Sequence, residues 1–244
     1  MAVVMAMEAE SRPVIERLGA REVDGAPPLP ARFFLARIGR CDVVVAVNGR
    51  DRRHGVDSIG TDAAALTTLE VVRRFSPDVL ISAGTAGGWQ SKGARIGDVY
   101  VSRERFVHHD RRIAIDGFDR YGVGSYPSAD TAHLAEALGL KRGIVTTSNS
   151  LDENDDDRSM IAANGGDVKE MEAAAVAYVA ELAGVPMLAV KAITDLVDHH
   201  TATAEQFATN LAMASARLAE ELVRVVQFLV GSGETPVGNS RSNS

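Results

Sequence analysis

The feature that most constrains the fold is a regular alternation of short apolar runs with stretches of helical periodicity. An apolar run bounded by turn residues indicates a buried strand, and apolar residues three and four apart indicate an amphipathic helix. On this basis we predict strands over residues 2–7, 33–38, 41–47, 78–82, 97–107, 143–146, 168–170 and 186–193. We predict helices through residues 14–18 and over 56–75, 172–183 and 203–230, with an irregular segment over 111–130.

This order predicts an α/β protein with three layers, in which helices cover both faces of a central, largely parallel or mixed sheet. We expect one domain over residues 1–230 because the sequence contains no internal repeat and this length suits a single core. Residues 231–244 are rich in Gly, Ser and Asn, and we expect them to form a disordered tail.

The composition favours a small-molecule ligand. A net charge of −7 argues against nucleic acid or an anionic membrane as the main partner. The single cysteine, Cys41, excludes an intrachain disulfide and a thiolate metal cluster, which fits a reducing compartment. The N-terminus lacks the basic start of a signal peptide, and no window approaches the roughly 20 apolar residues of a membrane span. We therefore expect a cytoplasmic protein.

Several common sites are excluded by spacing. The glycines of residues 84–88, Gly-Thr-Ala-Gly-Gly, do not have the dinucleotide-binding spacing, and neither a phosphate-binding loop nor a serine-hydrolase elbow is present. The histidine pairs at 108–109 and 199–200 are adjacent, whereas zinc-binding helices space them four apart. We interpret these histidines as surface or hydrogen-bonded residues, and we predict neither a metal nor a cofactor.

Three predicted strands run directly into carboxylates. Glu8 and Glu10 follow the first strand, Glu170 and Glu172 follow residue 168, and Asp195 ends the strand that begins near residue 187. Because ligands bind at the carboxyl ends of strands in α/β sheets, these acids could converge on one cleft. The alternative is that they stabilise helix N-termini, and we accept that interpretation for Glu8.

Four motifs in collinear order resemble those of a known family. They are Ala-Met-Glu-Ala-Glu at 6–10, Ser-Ala-Gly-Thr-Ala-Gly-Gly at 82–88, Glu-Met-Glu-Ala-Ala-Ala at 170–175 and Lys-Ala-Ile-Thr-Asp at 191–195. They are similar to the 5'-methylthioadenosine/S-adenosylhomocysteine nucleosidases of the purine nucleoside phosphorylase superfamily. Residues 109–112, 118–124 and 194–198 are closer still to the plant-type methylthioadenosine nucleosidases. The resemblance implies a nucleoside phosphorylase-like fold and a homodimer in which the partner's loop near 108–122 closes the 5' pocket.

The resemblance also implies roles for individual residues. Asp195 would protonate N7 of adenine, Glu10 would activate the attacking water, and Glu172 would hold the ribose hydroxyls. Met171 would pack beneath the sugar, and Thr85 would lie near the ribose and the water.

Four further residues would complete the substrate site. Leu151 and Asp152 match the segment that covers the purine, with backbone groups of residue 152 reading its edge. Met7 and Phe207 would line the pocket for the 5'-alkylthio group. In the family the segment before the purine-covering residues usually contains Gly-Asp, and here residues 148–149 are Ser-Asn, a departure that could reshape the loop.

The chemistry agrees with these roles. Adenine is a poor leaving group, so Asp195 must hold a proton near neutral pH, which requires a raised pKa. A protonated Asp can donate to N7 and accept from the 6-amino group, whereas Asn would suit a 6-oxopurine better.

Water is favoured over phosphate as the attacking group. Phosphorolysis needs a cationic cradle, and Glu8 and Glu10 would repel an attacking anion. Against this, Arg50, Arg52 and Arg53 could bind phosphate, although we prefer to interpret them as a solvated loop or ion-pair site.

We therefore expect hydrolysis of the N-glycosidic bond of 5'-methylthioadenosine, a small nucleoside substrate. Activity on S-adenosylhomocysteine or 5'-deoxyadenosine, a futalosine-type nucleosidase, a phosphorylase and a non-catalytic nucleoside-binding or storage protein remain alternatives.

Overall fold

The structure is a computed structural model that describes residues 1–232. Its strands are β1 (Ala2–Met5), β2 (Arg21–Val23), β3 (Arg32–Ile38), β4 (Cys41–Val47), β5 (Leu80–Gly88), β6 (Val99–His108), β7 (Tyr126–Pro127), β8 (Lys141–Thr147), β9 (Val168–Glu170) and β10 (Met187–Leu196). Its helices are α1 (Glu8–Leu18), α2 (Thr61–Phe75), α3 (Phe118–Val123), α4 (Ala132–Leu138), α5 (Asp155–Ala163), α6 (Ala173–Ala183) and α7 (Thr203–Ser232). Apart from residues 231–232 at the end of α7, the expected tail lies outside the described residues.

The strands form one mixed sheet in the order β10-β6-β8-β9-β5-β1-β4-β3-β2, with β7 paired to β6. Strand β10 pairs in parallel with β5 and antiparallel with β6. The strands β10, β6, β8, β9 and β5 therefore close into a ring, and the remaining strands extend from it as an open sheet. Strands β1, β5 and β10 run parallel, so their carboxyl ends lie on the same side of the molecule.

Helices cover both faces of the sheet, as predicted. Strand β1 shows the alternation: Val3 and Met5 pack in a core with α1 and α7, while Ala2 and Val4 pack in a second core with α2 and α6. The two cores define the three layers, and the predicted α/β/α architecture with a central mixed sheet is confirmed. Among the described helices, none is long and apolar enough to cross a membrane.

The structure differs from the predicted elements in two places near the strand ends. Helix α2 begins at Thr61 instead of residue 56, because Gly60 has a positive φ of 92° that a right-handed helix does not allow. The glycine-rich stretch 84–88, predicted to follow a strand, belongs to β5 itself and pairs with β10 and β9.

The prediction for the first histidine pair is wrong. His108 and His109 are buried, and neither ring has a hydrogen-bond partner among the described residues. His108 ends β6, and its ring packs edge-on against Tyr126. Burial lowers the pKa of His108 to about 4, so its imidazole is neutral at pH 7.

Candidate active site

A cavity of about 490 Å³ opens where β1, β5, β9 and β10 end. Its volume suits a ligand of nucleoside size. The cavity brings together eight of the nine residues predicted from the sequence: Met7, Glu10, Thr85, Leu151, Met171, Glu172, Asp195 and Phe207. These residues come from segments far apart in the chain. Strands β1, β5 and β10 run parallel and end at one edge of the sheet, where β9 pairs antiparallel with the end of β5.

Asp152 is the exception. Its side chain is exposed and, among residues 1–232, is not part of the cavity lining, although its neighbour Leu151 is. The role expected for residue 152 belongs to its backbone groups, so an exposed side chain does not contradict it. Contact between its backbone and a purine stays a prediction.

Glu10 lies in the first turn of α1 and is a buried residue of the cavity lining. The backbone N–H and the hydroxyl of Thr85 both donate to its Oε1, at 2.7 and 2.6 Å. Burial raises the pKa of Glu10, and the hydrogen bonds from Thr85 partly offset that effect. A fixed carboxylate with a raised pKa can accept a proton from a water molecule.

Glu172 precedes α6 and accepts a hydrogen bond of 2.8 Å from the backbone N–H of Gly60. Burial and the neighbouring charge of Glu170 raise the pKa of Glu172 to about 7. Near neutral pH this carboxyl group therefore exists in both protonation states, so it can donate to or accept from hydroxyl groups.

Asp195 lies near the end of β10 and is 3% exposed. Thr194 donates its hydroxyl to Oδ1 at 2.8 Å, and a Cβ atom on Gly87 would lie only 2.5 Å from Oδ2. The glycine at position 87 therefore provides the space that this carboxyl group occupies. Burial raises the pKa of Asp195 against the effect of the Thr194 hydrogen bond, which favours the protonated acid.

A buried ion pair beneath these acids was not predicted from the sequence. Lys191 Nζ lies 2.8 Å from Glu170 Oε2 and 3.2 Å from the hydroxyl of Ser82. Burial opposes ionisation of both partners, but their mutual attraction lowers the pKa of Glu170 and raises that of Lys191. The signal in the sequence is a lysine within the apolar run of β10, because an isolated buried charge requires a partner.

The Ser148-Asn149 departure has a structural role. The Asn149 side chain accepts a hydrogen bond of 2.9 Å from the backbone N–H of Thr61 and bonds to its hydroxyl, so it caps α2 from a distant part of the chain. The backbone N–H of Asn149 donates to Asp110 Oδ2 at 2.9 Å. Asn149 thus links the loop after β8 to the same helix start that contacts Glu172 through Gly60.

Residues from the irregular segment before α2 also reach the cavity. Val56 and Ile59 line it although their side chains are about half exposed, and Arg50 lies at its rim. Within the described part of the chain, Arg52 and Arg53 lie outside this lining. The three arginines therefore do not form a joint phosphate cradle in the cavity.

Comparison with known proteins gives the family. A family model described as the phosphorylase superfamily matches residues 1–227. The chain belongs to this superfamily. Within it, the chain is 41% identical over 231 residues to the 5'-methylthioadenosine nucleosidase of Arabidopsis thaliana, covering 93% of this chain and 86% of the relative. It is 40% identical over 232 residues to a 5'-methylthioadenosine/S-adenosylhomocysteine nucleosidase of the same plant, covering 93% and 91%.

The structure of the chain is also similar to a solved structure of one of these relatives. The apo structure of the Arabidopsis thaliana 5'-methylthioadenosine nucleosidase superimposes with a TM-score of 0.91 at 39% identity, covering 99% of this chain and 96% of the other. These matches confirm the family resemblance and the nucleoside phosphorylase-like fold predicted from the four motifs.

Proposed function

We propose that this protein is a purine nucleosidase that hydrolyses the N-glycosidic bond of 5'-methylthioadenosine, releasing adenine and 5-methylthioribose. The observation that carries the proposal is the convergence of Asp195, Glu10 and Glu172 in one cavity, with the pKa of each raised mainly by burial. Two relatives of at least 40% identity, named for this activity, support it.

In the proposed reaction, Asp195 donates its proton to N7 of adenine. The bond between C1' and N9 breaks, and its electron pair leaves with the base as neutral adenine. Positive charge then develops on the ribose, where nearby carboxylates stabilise it. Water attacks C1' and gives a proton to Glu10, and transfer of a proton back to Asp195 completes the cycle.

The remaining lining residues support the substrate. In this proposal Glu172 holds the ribose hydroxyls, Met171 packs beneath the sugar and Leu151 covers the purine; all three residues line the cavity. Met7 and Phe207, together with Val56 and Ile59, give the cavity an apolar part. An apolar part suits a methylthio group better than a long polar 5' substituent.

Water is the proposed nucleophile. The carboxyl group of Glu10 lies in the cavity, where it would repel an anion, and Arg50 alone of the three arginines reaches the lining. One arginine at the rim gives weak support for phosphate, which proteins usually bind with several donors.

We also propose that the protein acts as a homodimer, as the family resemblance implies. Support comes from exposed apolar side chains on α2, α3, α6 and the segments beside them: Val56, Ile59, Leu66, Leu69, Ile115, Phe118, Tyr121 and Leu182. Apolar side chains grouped near a site are typical of protein interfaces. A monomeric mass in solution at assay concentration would contradict this proposal.

A cytoplasmic role in methionine salvage is part of the same proposal, since the activity recovers adenine from a methionine-derived nucleoside. The single cysteine supports a reducing compartment.

The test is adenine release from methylthioadenosine with and without phosphate, with S-adenosylhomocysteine and inosine as alternative substrates. We expect phosphate-independent release, and a loss of about 10² to 10⁴-fold in Asp195→Asn, the range for removal of a general acid. Asp24→Asn is the matched control, because that side chain is exposed and does not belong to the cavity lining. Release that requires phosphate would establish a phosphorylase instead, and no release would refute the substrate assignment.

A further inference from the structure

Lys169 lines the same cavity as Asp195 and lies on the opposite side of Gly87. Gly87 of β5 pairs with Lys169 of β9 on one side and with Asp195 of β10 on the other. Two strand spacings separate the Cα atoms of Lys169 and Asp195 by about 10 Å. Paired residues project to the same face of a sheet, and Gly87 places no side chain between these two. Both line the cavity and both are buried.

Lys169 is held by the loop that follows β8. Its ammonium group donates to the carbonyl of Leu151 and lies 2.8 Å from Glu153 Oε2. The side chains of Lys169 and Glu153 are each 4% exposed, so this ion pair is buried. Glu153 also accepts a hydrogen bond of 2.9 Å from Arg158, whose side chain is largely exposed.

The charges with the largest effect on Asp195 come from two elements. Lys169 on β9 favours its ionised form, while Glu153 and Asp152 in the loop after β8 favour its protonated form. Gly87 of β5, next to Asp195, is uncharged. Asp198 follows β10 and accepts hydrogen bonds from the backbone N–H groups of Gln90 and Ser91. Glu10, Arg50 and Glu172 line the same cavity. The residues of α7 that bond to β10 are the amides Gln206 and Asn210.

An unpaired ammonium group at this position would oppose the proposed chemistry. A cation in a buried site strongly favours the ionised form of a neighbouring carboxyl group, because little water screens it. Asp195 must keep its proton to act as the acid. A carboxylate in contact with Lys169 cancels most of this effect while leaving the loop anchored.

We propose that Glu153 is a positioning residue for the reaction, which holds and neutralises the ammonium group of Lys169 so that Asp195 keeps the proton required by adenine. The inference rests on the proposed role of Asp195 as the acid. Glu153 is not itself a catalytic residue, because it acts on Asp195 only through its ion pair with Lys169.

The decisive variant is Glu153→Gln, which keeps the shape of the side chain and an oxygen for Lys169 but removes the negative charge. We expect the Asp195 carboxyl group to titrate about one pH unit lower than in the wild type, the lower end of the range for an adjacent opposite charge. The measurement is a ¹³C NMR titration of labelled aspartate, with the Asp195 signal assigned by its absence in Asp195→Asn. The basic limb of the kcat–pH profile should move in the same direction.

Two further variants separate charge from loop anchoring. Lys169→Met removes the cation, so the Asp195 titration should move upward, opposite to Glu153→Gln. The double variant should return it towards the wild-type position. Arg158→Met is the matched control, because it removes the exposed partner of the same carboxylate and leaves the buried pair intact; its titration should not change.

An unchanged Asp195 titration in Glu153→Gln would overturn the proposal, as would shifts of Glu153→Gln and Lys169→Met in the same direction. A merely structural role would raise KM or lower Tm in both variants without opposite shifts. The NMR titration requires no turnover. Absence of adenine release from the wild type would therefore refute the proposed function, while the charge relation between Glu153 and Asp195 is decided separately.

Discussion

Gly87 offers a test of how closely the catalytic acid is held. A Cβ atom at this position would lie 2.5 Å from Asp195 Oδ2 and 3.0 Å from Cγ2 of Val197. Ordinary contact begins near 3.4 Å, so Gly87→Ala would displace the carboxylate oxygen by about 0.9 Å. The carboxyl group is buried and bonded to Thr194, and it cannot move away without breaking that contact or shifting β10.

A misplacement of about 1 Å at a reacting group can cost about 100-fold in rate. We therefore expect Gly87→Ala to lower kcat for adenine release by about two orders of magnitude. Overpacking should also cost about 1–3 kcal/mol of stability, which urea unfolding would measure. The assay must be run well below Tm so that the loss of rate is measured on folded protein.

Gly84→Ala is the matched comparison in the same strand. There a Cβ atom would lie 3.4 Å from Glu10 Oε2, at ordinary contact distance. We expect this variant to keep most of its activity. Wild-type kcat in a folded Gly87→Ala protein would refute the argument that the absent side chain at Gly87 determines where the Asp195 carboxyl group lies.

Three further predictions follow from the buried polar contacts. Lys191→Met should cost about 3–5 kcal/mol in urea unfolding, because it leaves Glu170 buried without its counter-charge; full stability would contradict the pairing. Asn149→Ala should cost about 1 kcal/mol through loss of the cap on Thr61, and an unchanged midpoint would show that water replaces the cap. Asp195→Asn should raise Tm at neutral pH. Because the folded pKa of this carboxyl group is raised above its ordinary 3.8, its contribution to stability is greatest below that value and is lost as pH rises through the folded pKa. The stabilising effect of Asp195→Asn should therefore disappear in acid, and equal Tm values across pH would contradict a raised pKa.

Local pattern was sufficient to predict the architecture and the presence of acids at strand ends. Strand and helix periodicities are set by neighbouring residues, so β3, β4, β10 and α7 were predicted within a few residues of their bounds. The placement of Glu10 and Asp195 on one side of the sheet follows from the parallel course of β1, β5 and β10, whereas Glu172 follows β9, which runs antiparallel to β5. The strand pattern left helix capping open as an alternative, and the choice of Glu10, Glu172 and Asp195 as the acids of one cleft came from the family resemblance.

Elements determined by special backbone geometry were harder to predict. Residues 56–60 have apolar side chains at a spacing compatible with a helix. The positive φ of Gly60 prevents a right-handed helix from running through that residue. The short α4 was missed, and α3 and β7 lie within a segment predicted to be irregular. Short elements of this kind depend on packing against the rest of the molecule more than on their own propensities.

The electrostatic environment of the site was decided by the tertiary structure. The sequence by itself determined which acids are present, that they follow buried strands, and that a lysine interrupts the apolar run of β10. It did not determine that Lys191 would pair with Glu170, that Asn149 would cap α2, or that Gly87 would lie between Lys169 and Asp195. Those contacts join residues far apart in the chain, and burial, which sets the pKa values, exists only after the layers have packed.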